Sequence, residues 1–204
     1  YLPVPAGPSD IAAALVDIAF DWAKVKLVPG LSGTDVSGVA EVMRGEEAQV
    51  IGVAPLMRAG GIACLPGTHS KWVTVADGRI AGFATHMTGE TFAALRGHTI
   101  LGRMMRDGPA DGPGFERGLK RSADPGGLLH HIFGVRAETL AGNLAEADGA
   151  ACLSGLLIGH EVRAGLAGAG GAVVHVIGAP DLTALYARAI AACGGTAERH
   201  DGDA

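Results

Sequence analysis

The residues best suited to chemistry are Leu65-Pro66-Gly67-Thr68-His69-Ser70-Lys71-Trp72-Val73. A Pro-Gly turn leads into small hydroxyl residues and a cation, then into an alternating apolar run. Such a bend can offer backbone N–H groups, the hydroxyls of Thr68 and Ser70, and an ammonium to one anionic group. Upstream, Met43-Arg44-Gly45-Glu46-Glu47 carries two adjacent carboxylates. A carboxylate near a phosphate cradle is the minimum equipment for phosphoryl transfer, because it can accept the proton of an attacking alcohol.

Each feature has a plainer alternative. The bend could be an ordinary polar turn. It is not a Walker A loop, which needs Gly-x-x-x-x-Gly-Lys-Ser/Thr ahead of a helix, whereas a β-run follows here. Glu46 and Glu47 point about 100° apart on a helix, so at most one faces a cleft. Both could also be solvated glutamates favoured by the helix dipole. Arg44 suits a carboxylate or phosphate bidentately, or pairs with one of these glutamates. Thr85-His86-Met87-Thr88-Gly89-Glu90 ends a strand and opens a helix, a place where anions bind; plain capping by Thr88 is the alternative. Ile177-Gly178-Ala179-Pro180 closes a buried strand, and glycine there permits close approach of a ligand or simply a tight turn.

Other patterns fail. His160-Glu161-Val162-Arg163-Ala164 lacks the second His of a zinc protease motif. Gly168-Ala169-Gly170 precedes a strand instead of following one, so it is no dinucleotide fingerprint. His130-His131 fits a helix face and His175 a strand core, and a metal site would need more clustered ligands.

These residues must be positioned by α/β elements. Ser9 as N-cap with Ile11, Leu15 and Ile18 predicts a helix over 9–20. A short strand is expected over 25–28, a helix over 46–53 ended by Pro55, and a buried strand over 61–65. Asp77-Gly78 suits a type I′ turn, which predicts a hairpin of 71–76 with 79–85. Helix 90–96 follows, then a Gly/Pro-rich surface loop with one short helix over 103–127. Helical spacing returns over 127–145 and 147–167, where Gly155 and Gly159 allow close approach. Val173–Ile177 reads as a central strand, Asp181 as the cap of helix 181–193, and 196–200 as a last strand.

Composition supports this. The 204 residues are 48% hydrophobic but 4% aromatic, so the core must be aliphatic. The net charge of −5 with no basic cluster argues against nucleic acid or anionic membranes as partners. Cys64, Cys152 and Cys193 are far apart, as expected of reduced thiols in a cytoplasmic protein. No apolar run reaches the roughly 18 residues of a spanning helix. The chain opens at Tyr1 and stops at Ala204 without a closing element, so a piece of a longer protein is expected.

Val28-Pro29-Gly30-Leu31, Val42–Gln49, Leu65–Trp72, Met87–Glu90, Leu153–Glu161 and Ile177–Pro180, in this order and spacing, resemble the 2-keto-3-deoxygalactonate kinase family across nearly the whole chain. The resemblance implies an actin-like ATPase (ribonuclease H-like) fold of two α/β lobes, with a mixed sheet flanked by helices. It implies ATP-dependent phosphorylation of the terminal hydroxyl of 2-dehydro-3-deoxy-D-galactonate in bacterial galactonate breakdown, with Mg2+. By that analogy Glu46 is the first-choice base and Glu47 the second. Gly67, Thr68, His69 and Ser70 would hold the nucleotide phosphates, and Gly178, Ala179 and Pro180 would sit against adenosine. Arg44, Lys71, Thr88 and Glu90 are candidates for the sugar acid. The superfamily's Asp-x-Gly-Thr-Thr loop, whose Asp positions Mg2+, is not in this sequence, so the first lobe is expected to be largely missing and the metal ligands stay unassigned. Residues 1–60 would be the end of that lobe and the crossover, and 61–204 the second lobe. The expected partners are a sugar acid and ATP, with a homodimer compatible. A non-catalytic sugar-acid or nucleotide sensor on the same fold is the alternative.

Overall fold

The computed structural model describes residues 1–57 and 60–202. β1 (Leu2–Pro3) is followed by α1 (Pro8–Ala13) and an antiparallel hairpin of β2 (Val16–Ala19) and β3 (Lys24–Leu27). The helix expected over 9–20 therefore stops at Ala13. A single turn beyond the Asp10 carboxylate, which accepts from Gly7 N–H (2.8 Å), gains too little to propagate. The β-branched Val16 and Ile18 pair with Leu27 and Val25 instead, across an Asp17–Lys26 ion pair of 2.9 Å. β4 (Leu31–Thr34) joins β1 and β5 (Ala40–Met43) in a small sheet that the sequence reading did not anticipate. α2 (Glu46–Val53) then runs into a 3-10 turn, Ala54–Met57.

The main sheet is built from β6 (Gly61–Leu65), β7 (Ser70–Ala76) and β8 (Arg79–His86), an antiparallel meander. Asp77 and Gly78 both have positive φ (51° and 70°), as the expected turn requires. α3 (Thr88–His98) follows. Its N-cap is Met87, so Thr88 is the first helical residue and not the cap. Next come α4 (Pro113–Arg121), α5 (Gly127–Leu140) and α6 (Gly149–Ala167). β9 (Val173–Gly178), α7 (Pro180–Ala192) and β10 (Thr196–Asp201) complete the chain. Pro180 opens α7 and Asp181 sits in its first turn, so the cap is Ala179 and not Asp181. The strand order is β10-β9-β6-β7-β8, with β9 parallel to both β6 and β10. This is a mixed sheet in an α/β architecture.

Strand alternation sends successive side chains to opposite faces. Ala63, Leu65, Val73, Val75 and Ile177 pack with Leu31, Met43 and Val50 on one face. Cys64, Trp72, Val174 and Val176 pack against α4, α6 and α7 on the other. The stretch expected as a surface loop with one short helix does contain that helix, α4, but its Phe115 is fully buried. Its glycines are the reason. A Cβ on Gly118 would lie 1.9 Å from Cys152 O, and one on Gly155 2.1 Å from Phe115 O. Gly118 and Gly155 thus mark a close crossing of α4 and α6, which places the short helix in the core and not on the surface.

Candidate active site

Three chain reversals meet at one end of the sheet. The bend 66–69 joins β6 to β7, which pair Leu65 with Lys71. Because β9 runs parallel to β6, its end arrives beside that bend: a Cβ on Gly178 would be 3.8 Å from Pro66 O. Gly178 has φ +150°, a region that favours glycine. Its successors Ala179 and Pro180 are exposed. The first turn of α3 lies on the bend from the other direction. Glu90 N–H donates to Thr68 O (3.0 Å), and the Glu90 carboxylate pairs with the His69 ring. A Cβ on Gly89 would sit 2.5 Å from Gly67 O, so only glycine allows this approach. Thr68 and His69 are exposed at the tip.

Ser70 and Lys71 are consecutive in β7 and face opposite layers. Ser70 points into the helix layer and is completely buried. Its hydroxyl lies 3.3 Å from Gly67 N–H and 3.0 Å from Tyr186 OH. Tyr186 donates to Glu161 Oε2 (2.6 Å), and Trp72 Nε1–H donates to Glu161 Oε1 (2.9 Å). Burial, followed by the negative charge of Glu161, raises the Tyr186 pKa well above its ordinary value, so the phenol stays a donor. The same two causes raise Cys64. Ser70 is thus held behind the bend, where it fixes the shape of the loop and is turned away from its exposed tip.

Lys71 points the other way, toward α2. Its Nζ donates to His69 O (3.0 Å) and pairs with Glu46 Oε1 at 3.2 Å. The Lys71 side chain is 5% exposed and that of Glu46 27%, so the carboxylate reaches solvent while the cation does not. Gly45, at φ +109°, starts α2 and turns the two glutamates apart. Glu47 is buried and its Oε2 accepts from Gly45 N–H (2.7 Å), which is capping work. Glu46 Oε2 accepts from Arg44 N–H (3.1 Å). Arg44 itself is exposed and lies over the Tyr1 ring, 4.7 Å from its centroid.

Two features of the site were not anticipated. Thr85 is the cross-strand partner of Lys71, and its Oγ1 is a buried polar atom with no partner among the described residues. A cavity of about 610 Å3 opens beside the bend between α3, α6 and α7, lined by Gly67, Thr68, Thr88, Phe92, Ser154, Leu182 and Tyr186. Its wall is mostly apolar, and its polar end is the bend.

A family model described as 2-keto-3-deoxy-galactonokinase matches residues 1–204. The chain belongs to this family. A 2-dehydro-3-deoxygalactonokinase named as probable in Rhizobium meliloti (strain 1021) is 37% identical over 209 residues, 100% of this chain and 68% of that protein. The 2-dehydro-3-deoxygalactonokinase of Escherichia coli (strain K12) is 34% identical over 199 residues, 95% of this chain and 65% of that one. A crystal structure from Sinorhizobium meliloti, assigned as a 2-dehydro-3-deoxygalactonokinase protein, superposes with a TM-score of 0.90 at 36% identity, covering 100% of this chain and 69% of that one. The chain therefore spans about two thirds of the length of these galactonokinase relatives. Among the described residues, no helix is long and apolar enough to cross a membrane.

Proposed function

We propose that the complete protein phosphorylates the terminal hydroxyl of 2-dehydro-3-deoxy-D-galactonate with ATP, and that this chain carries its base and one phosphate loop. The observation that supports this best is the Glu46 carboxylate, half-exposed and 3.2 Å from the loop lysine. In the proposed reaction Glu46 accepts the hydroxyl proton as the substrate oxygen attacks the terminal phosphorus. The bond from that phosphorus to the bridging oxygen breaks, and ADP leaves. Gly67, whose N–H is taken by Ser70, shapes the bend, while Thr68 and His69 face the phosphates with backbone N–H groups and the Thr68 hydroxyl. Lys71 offsets their charge and keeps Glu46 oriented. Ser70 acts as a positioning residue through Tyr186 and Glu161.

Gly178, Ala179 and Pro180 flank adenosine, and the apolar cavity beside the bend suits a purine. The sugar acid lies on the opposite side of the bend. There Lys71, Arg44 and the partnerless Thr85 hydroxyl are its candidate contacts, while Glu90 holds the bend against α3 and Thr88 lines the cavity beside it. Glu47 is better suited to capping than to catalysis. Mg2+ takes hard oxygen ligands in near-octahedral geometry. Among the described residues, the grouping of potential metal ligands is the nitrogen-rich set His175, Glu198 and His200. That set does not fit Mg2+.

The wider reading is an actin-like, ribonuclease H-like kinase. Residues 61–204 form its second lobe, and residues 1–60 lead in from the first while sharing the second lobe's core through Ala6, Leu31 and Met43. A cytoplasmic setting suits the three free cysteines. A coupled ADP-release assay on the complete protein, with the keto-deoxy acid as acceptor, tests the proposal. Acid-dependent ADP release is the expected result. Binding of acid and nucleotide with no turnover would favour a sensor on the same fold.

A further inference from the structure

His175 was expected to be a simple strand-core residue, but pairing brings it two neighbours. β9 and β10 run parallel with His175 opposite Glu198 and Ile177 opposite His200. Side chains in register share a face, and residues two apart on a strand share it as well. His175, Glu198 and His200 therefore converge on the face that packs toward α2, away from α7, whose Thr183 receives the alternate residue Arg199. Their ligand atoms all lie within 4.8 Å of one another. His175 Nδ1 is 2.9 Å from His200 Nε2 and 3.8 Å from Glu198 Oε2.

We infer that His175, Glu198 and His200 form a site for a divalent transition metal of the Zn2+ class, separate from the phosphoryl-transfer centre. Tetrahedral coordination at about 2.0–2.1 Å separates neighbouring ligand atoms by about 3.3 Å. The two separations from His175 bracket that value and the third, between Glu198 and His200, is within 4.8 Å, so side-chain rotation alone can close the set. Two imidazoles and one carboxylate are the donor set of a three-ligand zinc site that leaves a fourth position for water. Binding would replace the hydrogen bond now shared by the two rings, turn both lone pairs to the metal and leave the N–H on the other ring nitrogens. His200 also lines a cavity of about 590 Å3 with Gln49, Gly52 and Ile177, which gives an exchangeable ligand room to enter. The site lies between the edge strand β10 and its neighbour. A bound ion would pin that edge, where unpaired backbone groups otherwise invite fraying or pairing with other chains.

The test uses the complete protein after chelator treatment and dialysis, titrated with Zn2+ by calorimetry and with Co2+ by visible absorption. One Zn2+ per chain at this site, a tetrahedral-type Co2+ spectrum and a Tm that rises and saturates with Zn2+ are expected. His200→Ala and Glu198→Gln are half-exposed and exposed positions that leave the core intact. Each should weaken Zn2+ binding at least tenfold and remove the rise in Tm, with circular dichroism unchanged. Absence of binding would overturn the inference. So would equal affinity in both folded variants, which would assign the ion to other histidines. ADP release is a separate readout, so failure here leaves the kinase reading untouched.

Discussion

Glu46 and Lys71 are joined by an ion pair of 3.2 Å that links the first residue of α2 to the second residue of β7. The lysine is buried and donates to His69 O inside the bend, so it is fixed before any ligand arrives. The glutamate is thereby oriented by a charge anchored in the bend at 66–69. Loss of the carboxylate and loss of the cation should have different signatures.

Glu46→Gln in the complete protein keeps the shape and removes the proposed base. Turnover should fall by about 10²–10⁴-fold, with nucleotide affinity measured by calorimetry nearly unchanged. Lys71→Met should weaken nucleotide binding as well as turnover, since it removes charge at the loop. Wild-type turnover in Glu46→Gln would reject the base assignment.

Gly89→Ala and Gly97→Ala make an internally controlled pair on one helix. A Cβ at Gly89 meets Gly67 O at 2.5 Å, whereas at Gly97 nothing lies within 4 Å. The first should cost about 1–3 kcal/mol through overpacking and weaken nucleotide binding by displacing the bend. The second should stabilise by about 0.5–1 kcal/mol through helix propensity. Urea midpoints and nucleotide titrations read both. Equal midpoints would mean that α3 does not rest on the loop.

Tyr186→Phe removes a donor from the buried Glu161 and a neighbour from Ser70. An unsatisfied buried acceptor costs about 1–3 kcal/mol, seen as a lower urea midpoint at constant m. Because Ser70 holds Gly67, KM for ATP should rise as well. A change in stability alone would make the network purely structural.

His160 supplies a pH dependence. Burial, then the charges of His131 and Arg163, lowers its pKa from the ordinary 6.5. The unfolded chain therefore binds the proton first. The associated stability is complete above about pH 6.5, declines as pH falls toward the folded pKa and is flat below it. His175 shifts in the same direction, so the informative quantity is the difference between wild type and His160→Gln. That difference should shrink on acidification across this window in urea titrations. Parallel curves would show that His160 contributes nothing.

Much of this arrangement was legible. Strand 61–65, helix 46–53 and the turn at Asp77-Gly78 follow from local chemistry, namely turn residues and apolar period. The first residues misled because Ile11, Leu15 and Ile18 satisfy a helical spacing, while the neighbouring β3 supplies the better partner for 16–19. The placement of Thr85 could not be read. A two-residue turn at 77–78 pairs Ala76 with Arg79 and would place Thr85 opposite Ser70. The irregularity between Thr74 and Val75 shifts the register by one and sets Thr85 opposite Lys71. One irregular step thus moves a hydroxyl from one layer to the other. The trio on β9 and β10 was equally hidden, since no local spacing in the sequence pairs His175 with Glu198.

The opposite facing of Ser70 and Lys71 has a practical outcome for genetic screens. Loss-of-activity alleles should cluster at Trp72, Glu161 and Tyr186 as well as around α2, although none of those three belongs to the acceptor's surroundings. Their defects should be suppressed by changes that restore hydrogen bonding among them, and not by raising the concentration of the sugar acid.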